Sequence, residues 1–181
     1  MKIQLSEASI KNAIDLIKTL EDNINVANEN IVDRLVDEGQ QYAAYYNALM
    51  TSAVGKNNAR VVPSKTLGGV KSKGSIALTG TDAVYYEFGT GEEGLHNPHP
   101  IKENFALNPY NSGPTIKVNK QGQHYWYVPK GKYVPSQYIR ANGYTQGIPA
   151  GKQMYMTAQH LRSIKNNIIK EELNGAIQKF K

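Results

Sequence analysis

Apolar residues in this chain change their spacing twice, and those changes set its architecture. Up to residue 50 they recur at steps of three and four. Beyond residue 59 they alternate, and from residue 149 the helical step returns. Ile10, Ala13, Ile14 and Ile17 share one helix face, Ser6 can cap the start, and Glu7 stands in the first turn. That stripe has to be buried. The step resumes with Ile24, Ala27, Ile31, Leu35, Tyr42, Tyr45 and Leu49, mostly opposite Glu29, Asp33, Asp37 and Glu38. The spacing predicts a first helix over 7–21, a break at Asp22-Asn23 and a second helix over 26–50. Gly39 inside it costs about 1 kcal/mol relative to Ala, which marks a bend or a close approach.

Arg60-Val61-Val62-Pro63 and Val70 to Leu78 flank Gly68-Gly69, which can turn a hairpin. Thr79-Gly80-Thr81-Asp82 supplies a turn and a cap for a short helix, Ala83 to Phe88, which Gly89 can end in the left-handed conformation. A strand ending at Phe88 is the alternative. Residues 89–114, with Pro98, Pro100, Pro109 and Pro114, read as a long irregular loop, and loops of that length usually serve binding or assembly. Residues 115–118 and 124–129 form a second hairpin around Asn119-Lys120-Gln121-Gly122. After a further Gly- and Pro-containing loop, Pro149-Ala150 opens a last helix whose Met154, Ala158, Leu161, Ile164, Ile168, Leu173 and Ile177 share a face. The expected fold is α+β: N-terminal helices and a C-terminal helix packed on a small, mainly antiparallel sheet with a long loop and hairpin insertion. It is read as a single domain over 1–181, with a helical region at 1–52, a β-rich region at 59–148 and the last helix at 149–181.

The 181 residues include no Cys, which excludes a disulfide framework, a thiolate zinc site and a cysteine nucleophile. Apolar runs are far shorter than the roughly 20 residues a membrane-spanning helix needs, and Met1-Lys2-Ile3-Gln4-Leu5-Ser6 has no apolar signal core. A soluble intracellular product is expected. Charge is uneven: residues 1–50 sum to −4 and the rest to +10, with no acid between Glu38 and Asp82 or between Glu103 and Glu171. Such asymmetry permits head-to-tail self-association or contact with a polyanion.

Catalytic constellations are scarce. His96 and His99 around Asn97 have a spacing that could hold a metal if further ligands converged, but only Glu92, Glu93 and Glu103 are near in sequence. A Pro-rich loop touching a neighbour fits better. His124 and His160 read as surface or packing residues. Gly89-Thr90-Gly91-Glu92-Glu93-Gly94 matches the dinucleotide pattern G-x-G-x-x-G in letters only, because two carboxylates fill the loop and Pro98 and Pro100 prevent a long helix from following. The reading is non-enzymatic, with no metal, cofactor or small-molecule substrate.

Seven of the twelve tyrosines lie between residues 110 and 155, interleaved with Lys117, Lys120, Lys130, Lys132, Arg140 and Lys152. Basic and aromatic side chains on one sheet face can stack bases and neutralise phosphates, and Tyr also supplies amphipathic area at subunit interfaces. Alternation puts Trp126 opposite Tyr125 and Tyr127, so the three rings cannot form one platform. Interface or core use is favoured.

Tyr85-Tyr86-Glu87-Phe88-Gly89-Thr90-Gly91, preceded by Thr79-Gly80-Thr81-Asp82-Ala83 and followed by Ile148-Pro149-Ala150 before the last helix, resembles the neck and tail-completion (head-tail joining) proteins of tailed bacteriophages. The resemblance covers residues 25–175 in order of elements and rests on Tyr86, Glu87, Phe88, Gly89, Thr90, Pro149 and Ala150. Where the family usually has Pro-Phe after Pro149-Ala150 this chain has Gly151-Lys152-Gln153-Met154, with Met154 as the apolar substitute, and the 59 residues between Thr90 and Ala150 exceed the usual length. The resemblance implies a structural virion protein, made in the host cytoplasm, forming a six-fold ring between capsid connector and tail. Its neighbours would be head-closure or connector proteins and tail terminator or tail tube proteins. Tyr125, Trp126, Tyr127, Lys130, Lys132 and Arg140 are then candidates for the subunit interface or a lumen touching DNA non-specifically. The alternative is a sequence-independent nucleic-acid-binding module using residues 115–152. Glu87 itself is expected to face unpaired amides near 150–153, with Gly89 at positive φ and Phe88 in the core; the alternative is an exposed Glu beside a turn.

Overall fold

The computed structural model describes residues 6–54, 58–80, 83–89, 99–100, 117–118, 120, 124–127, 144–145 and 150–179. In chain order these form α1 (Glu7–Val54), β1 (Arg60–Thr66), a 3-10 turn (Gly69–Lys71), β2 (Lys73–Thr79), α2 (Ala83–Phe88), β3 (Lys117–Val118), β4 (His124–Tyr127), β5 (Tyr144–Thr145) and α3 (Gln153–Gln178). The fold is α+β, with helices packed on a small antiparallel sheet. Strands β1 and β2 make the two-stranded sheet, and β3-β4-β5 a separate three-stranded one. In the latter Lys117 pairs with Tyr125, Trp126 with Thr145 and Tyr127 with Tyr144, all antiparallel. The strand at Tyr144–Thr145 was not expected. Two residues are too few to carry a period.

One correction concerns the amino-terminal region, where the expected break at Asp22-Asn23 is absent and α1 runs unbroken for 48 residues. No Gly or Pro occurs before Gly39. Asp and Asn each cost at most about 0.7 kcal/mol relative to Ala, too little to stop a helix already propagating. Ser6 caps it, its Oγ accepting from Ser9 N at 3.2 Å.

Contacts divide the chain into two units. The first comprises residues 1–39, 63–76 and 159–181. Within it the polar run in α1 holds the hairpin turn: Val70 N donates to Asn25 Oδ1 (3.1 Å), Gly69 N to Glu29 Oε1 (2.8 Å), and Asn28 Nδ2 to Gly69 O. Gly69 has φ +57, and a Cβ there would strike Asn25. Gly39 marks a close approach, since a Cβ would run into Ile76 and Leu161. Gly74 likewise lets β2 lie on Val32 and Val36.

Charged pairs complete this unit. Arg34 donates to Glu172 (2.8 Å) and Glu171 (2.9 Å), Lys65 to Asp33 and Asp37 (both 2.6 Å), and His160 lies 3.7 Å from Glu38. Arg34, then Asn30, hold the Glu172 carboxyl below its ordinary pKa, and Asp33 and Asp37 raise that of Lys65. A second correction concerns the stripe that had to be buried: Ile10, Ile14 and Ile17 are 47, 47 and 64% exposed. Helix α3 lies beside α1 from Gly39, against Leu161, past Arg34, next to Glu171 and Glu172, to Asn23, near Lys179, and Lys179 is the last residue described.

The second unit comprises residues 40–62 and 77–158. Its core joins Met50, Ala59, Ala83 and Tyr86, with Leu78 packed against them. Asn47 Nδ2 ties α1 to Ala59 O at 3.1 Å. Along α1 the ring of Tyr46 lies tilted against Tyr42 and edge-on to Tyr45, with centroids 5.1 Å and 5.4 Å apart. Among the described residues no helix is long and apolar enough to cross a membrane.

Candidate functional site

The sequence segments singled out above meet inside the second unit, around a short helix that has to end abruptly. Gly80, at φ +125, starts α2 by accepting Ala83 N at 3.2 Å. Gly89, at φ +73, ends it by donating to Tyr85 O at 2.8 Å, the left-handed cap that glycine adopts without steric cost. Six residues leave the last carbonyls of α2 without partners of their own. Gly151 N donates to Tyr86 O (2.7 Å) and Lys152 N to Glu87 O (3.0 Å), so the strand of chain entering α3 answers the end of α2.

Helix α3 has the complementary deficit. Lys152 stands at its cap position with φ +56, and a lysine ammonium cannot accept from helix amides. Glu87 supplies the missing acceptor from 67 residues upstream of the first amide it serves. Its Oε2 accepts from Met154 N at 2.9 Å and its Oε1 from Tyr155 N at 3.0 Å, the second and third amides of the helix. A carboxylate there gains both the hydrogen bonds and the attraction of the helix dipole. The sequence places Glu87 near amides 150–153, but those of 151 and 152 go to backbone carbonyls, and the side chain reaches one and two residues further, to 154 and 155.

His99 closes the arrangement. Its Nε2 lies 3.0 Å from Glu87 Oε1, and because the carboxylate oxygen accepts, Nε2 carries the hydrogen. The ring packs 4.3 Å from that of Phe88 and edge-on to Tyr155 at 5.4 Å. Glu87 and His99 are 7% and 2% exposed. Nothing in the sequence marks His99 as a partner of Glu87. Its two flanking prolines suggested a loop reaching outward or a metal ligand, whereas the ring points inward. Gln153, fully buried, begins α3, and its carbonyl accepts from Thr157 Oγ1 at 2.7 Å. Its side-chain amide makes no hydrogen bond among the described residues.

Of the remaining sequence candidates, Tyr86 and Phe88 are buried, as is Ala150, and Met154 is half-buried. Thr90, Pro149, His96, Lys130, Lys132 and Arg140 lie outside the described residues. Tyr125, Trp126 and Tyr127 lie on β4, the middle strand of the three-stranded sheet. No group of three or more His, Asp or Glu able to hold a metal occurs among the described residues. The Glu87 cluster therefore couples the end of one helix to the start of another, and His99, outside both helices, holds the same carboxylate from a third side. Comparison with protein-family models, curated proteins and solved structures finds no match to this chain.

Proposed function

We propose that this chain is a non-enzymatic structural component of a tailed-phage virion, forming a ring in the neck between the capsid connector and the tail. The observation that carries the reading is the convergence at Glu87. The Tyr86-Glu87-Phe88-Gly89 segment and the Ala150-to-Met154 segment carry the resemblance to tail-completion proteins. They are far apart in sequence, and they are joined by four hydrogen bonds from residues 151, 152, 154 and 155. Two motif segments that meet only in the fold support a common structural purpose better than either does alone. The buried, fully engaged carboxylate suits a scaffold role.

On this reading the partners are other copies of the chain, a head-closure or connector protein on one side and a tail terminator or tube protein on the other. Basic side chains facing a lumen would contact DNA without sequence preference, so any binding falls steeply with salt. Electron microscopy of the purified protein and of its parent particle tests the proposal: rings in solution and density at the head-tail junction are expected. A protein absent from purified virions overturns it. The rival, a nucleic-acid-binding module, is favoured instead if the isolated monomer binds single-stranded DNA tightly and forms no ring.

A further inference from the structure

Cations on the outer side of α3 are gathered together and unanswered, unlike most of those in the first unit. Arg34 and Lys65 are paired with carboxylates, and Lys179 lies near Glu172. Lys11 and Lys18 alternate along α1 with Glu7, Asp15 and Asp22 at steps of three and four. Lys71 and Lys73 share the hairpin turn with exposed Leu67 and Val70. From residue 159 to residue 170, by contrast, α3 carries Arg162, Lys165 and Lys170 and no acid. All three are exposed, and none takes part in an ion pair among the described residues.

Helix geometry puts these charges on one side. At about 100° per residue Arg162, Asn166 and Lys170 fall within roughly 80° of one another, facing away from Leu161, Ile164 and Ile168, and Lys165 borders the same side. Leu161 packs against Gly39 and Ile168 is buried, so the opposite side is the one turned to water. Arg34 keeps that side uniform in sign. It draws Glu171 (2.9 Å) and Glu172 (2.8 Å), the next residues along the helix, toward α1. Ser163 Oγ donates to His160 O at 2.7 Å, which leaves the exposed Asn166 and Asn167 as neutral donors beside the cations.

We propose that this side of α3, from Arg162 to Lys170, is where the chain touches the phosphate backbone of duplex DNA. Composition selects the class of partner. Protein-binding surfaces are centred on Tyr, Trp, Phe and Met with Lys and Ser depleted, whereas phosphates are contacted by Arg, Lys, Asn, Gln and Ser. Every exposed position from 159 to 170 is Gln, Arg, Ser, Lys or Asn. Arg162 and Lys170 stand about 12 Å apart along the axis, a span over which one DNA strand presents about three or four phosphates. Contacts of this kind carry no sequence preference. The charge pattern is independent of the neck reading, but duplex DNA as the source of the phosphates rests on it. The contact falls on α3 and not on residues 115–152.

Fluorescence anisotropy of the full chain with a labelled duplex of about 30 base pairs, repeated from roughly 50 to 300 mM NaCl, tests it. Each phosphate contact contributes about 0.9 to the slope of log affinity against log salt. Arg162→Ala, Lys165→Ala and Lys170→Ala together should therefore lower the slope by roughly 2 to 3 and weaken binding at least about tenfold. Far-UV circular dichroism should be unchanged, because the three residues are exposed and Ala favours helix. Lys130→Ala, Lys132→Ala and Arg140→Ala together remove the same charge from the Tyr-rich tract and should leave the slope as it is. The proposal is overturned if the α3 variant keeps the wild-type slope, or if both variants lose it equally, which makes net charge alone responsible. A wild type that does not bind the duplex at the lowest salt also overturns it and leaves this side of α3 to an acidic protein. Rings seen by electron microscopy stand or fall independently of these slopes, so failure here leaves the neck reading intact.

Discussion

The two units are held together by opposite means. In the first, helix, hairpin and helix are fastened by charge pairs open to solvent: Arg34 with Glu171 and Glu172, and Lys65 with Asp33 and Asp37. In the second, a buried carboxylate at 7% exposure holds two amides and an imidazole, and apolar packing by Met50, Ala59, Ala83 and Tyr86 surrounds the neighbouring backbone. Water competes with the first arrangement and is kept out of the second. Solvated pairs contribute little and are screened by salt, while a buried acceptor is expensive to remove because its donors are left unmatched. Sensitivity to single substitutions should therefore concentrate around Glu87.

The largest effect is expected from Glu87→Ala, which strands the amides of Met154 and Tyr155 and the imidazole of His99. Loss of about 3–5 kcal/mol in urea unfolding is predicted. Glu87→Gln should recover only part of it, because one amide oxygen replaces two carboxylate oxygens and its NH₂ faces a donor. If Glu87→Ala unfolds no more easily than a variant at the exposed Arg34–Glu171 pair, the contrast between the units is wrong. Next comes Gly151→Ala. The added Cβ would lie 2.7 Å from the Tyr86 carbonyl oxygen and 2.8 Å from Met50 Sδ, so backbone must shift and roughly 1–3 kcal/mol should be lost.

Smaller again is Glu29→Gln, which weakens the bond to Gly69 N in the hairpin turn and should cost about 1 kcal/mol, read as a lower thermal midpoint. The smallest effect is that of acid on the first unit. Folding lowers the pKa of Glu172, so its contribution is complete above the ordinary Glu value of about 4.3 and fades as the pH falls through the lower folded value. Charge-neutral Glu172→Gln should flatten that part of the stability profile. A wild-type profile already flat from pH 5 to pH 2 removes the pair from the stability argument.

Much of the secondary structure was legible because period and punctuation agree in this chain. The first hairpin, the short helix with its glycine stop, and the final helix are all announced by local residues. The failures share a cause: a partner distant in sequence. Asp22-Asn23 looked like a break because Asp and Asn favour turns, and the hairpin turn that the nearby Asn25, Asn28 and Glu29 grip lies at least 40 residues away in sequence. Ile10, Ile14 and Ile17 promised burial, and periodicity cannot say whether the covering element belongs to the same chain. Glu87 could be aimed at the final helix through the resemblance, but no pattern in the letters connects it to His99.

Because the cap of α3 is borrowed, this helix cannot finish its own first turn. During synthesis the acid emerges 67 residues ahead of the first amide it will serve, and closing a loop of that length costs roughly 4 kcal/mol in chain entropy. Until that closure the carboxylate remains hydrated and the start of the helix frays. Arrival of the last helix is thus the event that commits the second unit to its shape, and a chain stalled before it should hold neither helix end in place.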